Sequence, residues 1–153
     1  MPIRTEPVPP DLPAPRQVRT SSDALRVVLL ALSTPLRAET LAFVLDPDGL
    51  GGAITVVSGT DDPDAVLTVA ELHSMAAARL ARPMSLVIAS VRPDVDRRAG
   101  IGPDDMDRWW TLKAIARRHG VLLREWFVVT ARGVHCPREL CDEPDGWDQP
   151  ESW

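Results

Sequence analysis

Residues 89–96 read ASVRPDVD, follow the apolar run MSLVI, and precede GPDDMDRWW. An apolar strand entering a proline-containing loop beside several acids is a common setting for a hydrolytic metal. Three protein ligands there leave one position open for a water whose pKa the metal lowers. The acids at hand are Asp94, Asp96, Asp104, Asp105 and Asp107. They could form an all-oxygen site for magnesium or manganese. Equally, acids enriched in the first turn of a helix answer its dipole. On a helix Asp104, Asp107 and Thr111 share one face, being three and four apart. Where a zinc site would want histidines the loop offers Ser90 and Arg92. Arginine stays protonated and cannot ligate, so its guanidinium is expected to take the place of a metal and pair with Asp107 or Asp96. The other soft ligands are scattered. His135, Cys136 and Cys141 lie together, while His73 and His119 fall on separate predicted helices, too few in one place for a zinc cluster.

These residues need a scaffold, and the patterning supplies one. SSDALRVVLLALS (21–33) reads as a helix opened by a capping serine and closed by Pro35. ETLAFVLD (39–46) and AITVVS (53–58) read as strands around the turn DPDGLGG, hence a hairpin. DPDAVLTVAELHSMAAARLA (62–81) carries apolar residues at steps of three and four and reads as a helix. MSLVIAS (84–90) is a buried strand. PDDMDRWWTLKAIARRH (103–119) is a helix with proline and acids first, basic residues last and Gly120 beyond, and VLLREWFVV (121–129) is the last strand. Trp109 and Trp110 are adjacent on their helix, so one is expected against the sheet while the other covers the pocket or a partner surface. Trp126 is expected to line the same pocket.

The chain has 153 residues, 44% of them hydrophobic and 25% charged, with a formal net charge of −5. That suits one domain with a real core. No apolar run spans a membrane, and no basic-then-apolar leader opens the chain, so the expected location is the cytoplasm. The acidic balance argues against nucleic acid as a partner. Six prolines in residues 1–20 predict an extended, mostly disordered tail, and the proline-broken acidic stretch at 139–153 predicts a second loose tail. Residues 21–138 are left as the folded domain, an α/β fold with a mixed β-sheet and flanking helices.

The order of these pieces, with FVLDPDG…VVSGT (43–60), SLVIASVRP (85–93) and GPDDMD (102–107), resembles the RadC-type JAB/MPN domain, a JAMM metallohydrolase-like family, over roughly residues 36–136. The resemblance implies a cytidine-deaminase-like layer architecture. It also implies a zinc held by His-x-His-Pro and by the aspartate of Ser-x-x-Asp, with an upstream glutamate as general base and the serine beside the oxyanion. Matching Pro93 to the motif's proline puts the two histidines on Ser90 and Arg92. Asp107 then stands for the third ligand, Asp104 for the serine and Glu39 for the base, one residue out of strand register. The family's later Asp-His pair is here Glu125-Trp126. The pocket expected from this comparison comprises Ser90, Arg92, Asp96, Asp104, Asp107, Trp110 and Trp126. Glu39 and Asp104 are its possible catalytic groups and Asp107 the remnant ligand. With both nitrogen ligands gone, no cofactor is expected. The implied function is a pseudo-metallohydrolase that binds or assembles with an unknown protein partner, without nucleic acid or membrane. The alternative is a peptidase- or isopeptidase-like hydrolase that holds zinc or a hard divalent ion through displaced or carboxylate ligands.

Overall fold

A computed structural model describes residues 3–6, 17–93 and 101–147. Its elements, in chain order, are β1 (Ile3–Glu6), α1 (Ser21–Ala31), β2 (Glu39–Leu45), β3 (Ile54–Ser58), α2 (Ala65–Ala77), β4 (Ser85–Arg92), α3 (Pro103–Arg118), β5 (Leu122–Thr130), β6 (Gly133–His135) and α4 (Pro137–Leu140). The strands form one mixed sheet in the order β1-β3-β2-β4-β5-β6. Among the described residues only the β4–β5 pair is parallel, joined through α3; the other pairs are antiparallel. Among the described residues no helix is long and apolar enough to cross a membrane.

Alternation along the strands builds two cores. On one face Leu41, Phe43, Leu45, Val56, Val87, Ala89, Phe127 and Val129 pack with Ala24, Val27 and Val28 of α1. On the other Ala42, Val57, Leu86, Ile88, Trp126 and Val128 pack with α2 and α3 through Val66, Val69, Ala70, Trp109, Leu112 and Ala116. Each fully buried aliphatic or aromatic side chain contributes about 1.5–3 kcal/mol, so both faces of the central strands are committed to burial. That explains why β4 reads as an unbroken apolar run.

Local chemistry sets the ends. Thr20, one residue before the expected serine, caps α1 by accepting the Asp23 N–H at 3.0 Å. Pro103 opens α3, and Gly120 follows it at φ +71°. In the hairpin loop, Asp46 Oδ1 accepts the N–H groups of Asp48 and Leu50. Gly49 there has φ +79° and lies so close to the Val18 carbonyl that a Cβ would sit 2.6 Å from it.

One irregularity matters for the site. The β4–β5 register runs Leu86↔Leu123 and then Val87↔Glu125, passing over Arg124. This bulge lets Arg124 and Glu125 both serve the α1 face. Val121 and Leu123 before it share the opposite core with Trp126 and Val128 after it.

Both expected tails are partly ordered. Ile3–Glu6 pairs with β3, from Ile3↔Val57 to Glu6↔Ile54, and the Val18 N–H donates to the Gly49 carbonyl at 2.8 Å. At the other end α4 and its continuation return over β5. Arg138 Nη1 donates to the Glu143 carbonyl and Arg124 Nη1 to the Gly146 carbonyl, while Trp147 lies over the Arg124 guanidinium and against the α1-side core. Proline content reports lost donors, but it does not report what the remaining residues dock onto. Residues 7–16 of the expected first tail, and 148–153 of the second with Trp153, lie outside the described residues.

Candidate functional site

A cleft of about 310 Å³ opens at the C-terminal end of β4. The start of β2 (Ala38–Thr40), the turn into α2 (Thr60–Pro63, Val66) and the β4 exit (Ser90–Pro93) line it. Beside it stands an alternating charge chain. Arg92 donates to Asp105 through both terminal nitrogens, at 3.0 and 2.7 Å. Arg108 bridges onward, to Asp105 at 2.9 Å and to Asp64 at 2.8 Å. The Asp105 carboxylate also accepts the Gly102 N–H at 3.1 Å and so caps α3. Asp105 is 2% exposed. Burial pushes its pKa up, but the hydrogen bonds from Arg92, Gly102 and Arg108 outweigh that and hold it below the usual carboxylate range.

Ser90 and Arg92 point to the α2/α3 side because they alternate in phase with Leu86 and Ile88. Ser90 Oγ accepts the Trp126 indole N–H at 3.0 Å, which places Trp126 behind the cleft. Thr40 and Thr60 join hydroxyls across it at 3.0 Å.

The other expected site residues lie or turn elsewhere, although Glu39 still borders the cleft. Asp104 and Asp107 are exposed on α3; the partner of Arg92 is Asp105, not Asp107. The missed signal lies in the sequence: with Pro103 as first helical residue, Gly102 is the N-cap and Asp105 the N3 position, whose carboxylate turns back to the N-cap N–H. Glu39 is buried, but its carboxylate accepts the Ser33 N–H and hydroxyl, each at 3.0 Å. It keeps phase with Leu41 and Phe43 on the α1 side of the sheet, so the position facing the cleft belongs to Thr40. Trp110 is 49% exposed and meets Lys113 at 5.4 Å from ring centroid to Nζ, outside the cleft; Trp109 is the tryptophan packed on the sheet. Asp94 and Asp96 lie outside the described residues.

Glu125, the other member of the Glu-Trp pair, serves a second polar centre on the α1 face. Its carboxylate accepts Arg138 Nε at 3.0 Å, the Trp126 backbone N–H at 3.1 Å and the Ser21 hydroxyl at 3.4 Å. Burial raises its pKa, and the Arg138 hydrogen bond and charge offset only part of that rise. Cys136 nearby is pushed up to about 12 by burial and by Glu125, an unreactive thiol at neutral pH.

The donor set around Ser90 does not fit zinc. Ser90 is a hydroxyl engaged by Trp126, Arg92 is a fixed cation, and both oxygens of Asp105 already accept charge-assisted bonds. The histidines are occupied elsewhere, His73 at the Val69 carbonyl and His119 at Glu71, while His135 is on β6. Among the described residues no group of three or more His, Cys, Asp or Glu could hold a metal ion. Comparison with protein-family models, with curated proteins and with solved structures finds no match.

Proposed function

We propose that this chain is a non-catalytic relative of the RadC-type JAB/MPN domains, a pseudo-metallohydrolase that keeps the scaffold as a protein-binding or assembly module. The observation that carries this reading is the bidentate Arg92–Asp105 pair. Gly102-x-x-Asp105 has the spacing of the family's Ser-x-x-Asp, with glycine in the serine's place, so Asp105 takes the third-ligand position assigned above to Asp107. Arg92 occupies the second histidine's position. A cation delivered by the chain then sits against the carboxylate that would have held one from solution. Structural zinc sites bind with about 10–16 kcal/mol in total, and a hydroxyl and a guanidinium in place of two imidazoles remove most of that. The ion pair fixes the β4 exit against the α3 N-terminus, and such pairs hold geometry more than they add stability.

The test is elemental analysis of the purified, untagged protein with melting curves in chelator, zinc, magnesium and manganese. The expected outcome is no stoichiometric metal and no shift with any ion. A stoichiometric metal, or a melting point several degrees higher with one ion, would overturn the reading in favour of a hydrolase with rebuilt ligands.

A further inference from the structure

Along its outer side β5 is only half paired. β6 takes Val128, Val129 and Thr130, and among the described residues no strand pairs with residues 122–127 on that side. An open strand edge is a template for another strand. Here the C-terminal segment, residues 137–147, covers the stretch without pairing with it: no backbone–backbone hydrogen bond joins the two among the described residues. Side chains hold it instead. Arg138 Nε donates to Glu125 at 3.0 Å, Arg124 Nη1 donates to the Gly146 carbonyl at 2.7 Å, and the Trp147 ring centroid lies 5.4 Å from the Arg124 guanidinium. Gly146 sits so near the strand that a Cβ would lie 3.0 Å from the Arg124 carbonyl oxygen. The fit has a defect, because the buried Trp147 indole N–H has no acceptor among the described residues, and an orphaned donor costs stability. A cover that makes no ladder bonds competes poorly with a strand that makes them.

The stretch itself selects which strand. A two-fold antiparallel pairing that uses all of residues 122–127 is centred between Arg124 and Glu125. It sets Leu122 against Phe127, Leu123 against Trp126 and Arg124 against Glu125 of a second copy. Directly opposed residues must share a face of the sheet. In a regular strand this centre fails, because residues an odd number apart face opposite ways. The bulge removes the conflict. Arg124, beside Trp147, and Glu125, beside Ser21, both face the α1 side, and Leu123 and Trp126 share the opposite core. Leu122, alternating with Val121 and Leu123, faces the α1 side with Phe127. Every opposed pair agrees, and the central arginine–glutamate pair is made twice by the symmetry.

We infer that residues 137–147 are an autoinhibitory strap, and that its release lets the β5 edges of two copies of this chain pair about a two-fold. The inference does not rest on the metal-site reading. Charge complementarity at the centre favours a second copy over an unrelated extended segment, and Arg124 and Glu125 exchange their bonds to the strap for bonds to each other.

The experiment is sedimentation velocity on the full chain and on two strap variants. Gly146→Val presses a side chain on the Arg124 carbonyl, and Trp147→Ala removes the ring from the guanidinium. Trypsin cleavage after Arg138, which is buried under the closed strap, reports release. The wild type is expected to be monomeric, and both variants to be cleaved faster and to form a concentration-dependent dimer that still melts cooperatively. Adding Arg124→Glu to Gly146→Val sets like charges at the centre and should weaken the dimer roughly tenfold or more. Monomeric variants, whether or not cleavage quickens, would overturn the inference, and a wild type already dimeric would overturn the inhibitory role of the strap. A dimer indifferent to Arg124→Glu, or assembly beyond the dimer, would overturn the two-fold pairing, which uses up the free edge.

Discussion

The two faces of the sheet each hold a buried carboxylate paired with an arginine, and the two pairs behave in opposite ways. Asp105, on the α2/α3 side, receives bonds from two arginines and a helix N-cap amide, and its pKa falls. Glu125, on the α1 side, receives one arginine, one amide and a long hydroxyl contact, and its pKa rises. Burial opposes the charged form at both. What differs is the number of charge-assisted donors set against it. A buried ion pair is therefore not one kind of object: the first favours its ionised form, while the second bears ionisation as a cost.

The largest effect should come from stripping the poorer pair of its cation. Arg138→Met leaves Glu125 against apolar surroundings and also releases the Glu143 carbonyl; a loss of about 3–5 kcal/mol is expected in denaturant melts at neutral pH. A loss under 1 kcal/mol would show that Arg138 does not hold the C-terminal segment down. Next comes Asp105→Asn, expected to cost about 1.5–3 kcal/mol. Because the folded-state value of Asp105 is lowered, its stabilisation is full above the unfolded value of about 3.9 and disappears only as pH falls through the folded value. The gap between wild type and variant should be flat from pH 5 to 8 and close in stronger acid.

Glu125→Gln should show the reverse slope. Its folded value is raised, so the advantage of wild type over variant is greatest below the unfolded value of about 4.3 and shrinks as pH rises through the folded value. Stability measured from pH 4 to 8 decides this, and parallel curves for the two variants would erase the contrast. The smallest effect, within about 0.5 kcal/mol, belongs to Asp104→Asn and Asp107→Asn, whose side chains are exposed.

The contrast also marks what the sequence disclosed. Helices and strands from residue 21 to 129 follow period and capping signals, and the observed elements fall within a few residues of those bounds. The α/β sheet with flanking helices followed from them. That Arg92 would pair with a nearby carboxylate was also legible, since an arginine stays protonated and cannot ligate. Its partner was misassigned because a motif spacing was followed where helix phase decides. Glu39 carried its own warning in the alternation of Leu41, Phe43 and Leu45, which places it across the sheet from Ser90. What no local pattern showed was pairing at a distance: β1 on the edge of β3, and Arg138 on Glu125. Composition alone made both segments look loose, since docking depends on the surface they meet.

The bulge at Arg124 has a hereditary consequence. In an unbroken register Val87 would face Arg124 and Ser90 would face Phe127, so the remainder of β5 would lie turned over. The indole that now backs the cleft would trade chambers with the acid that anchors the C-terminal segment. The extra residue is accommodated by the bulge: with the Arg124 codon deleted, Leu86↔Leu123 would be followed directly by Val87↔Glu125, the pairing already present. Removal of Arg124 would thus straighten the strand and leave both chambers as they are, at the expense of its bond to the Gly146 carbonyl and its contact with Trp147.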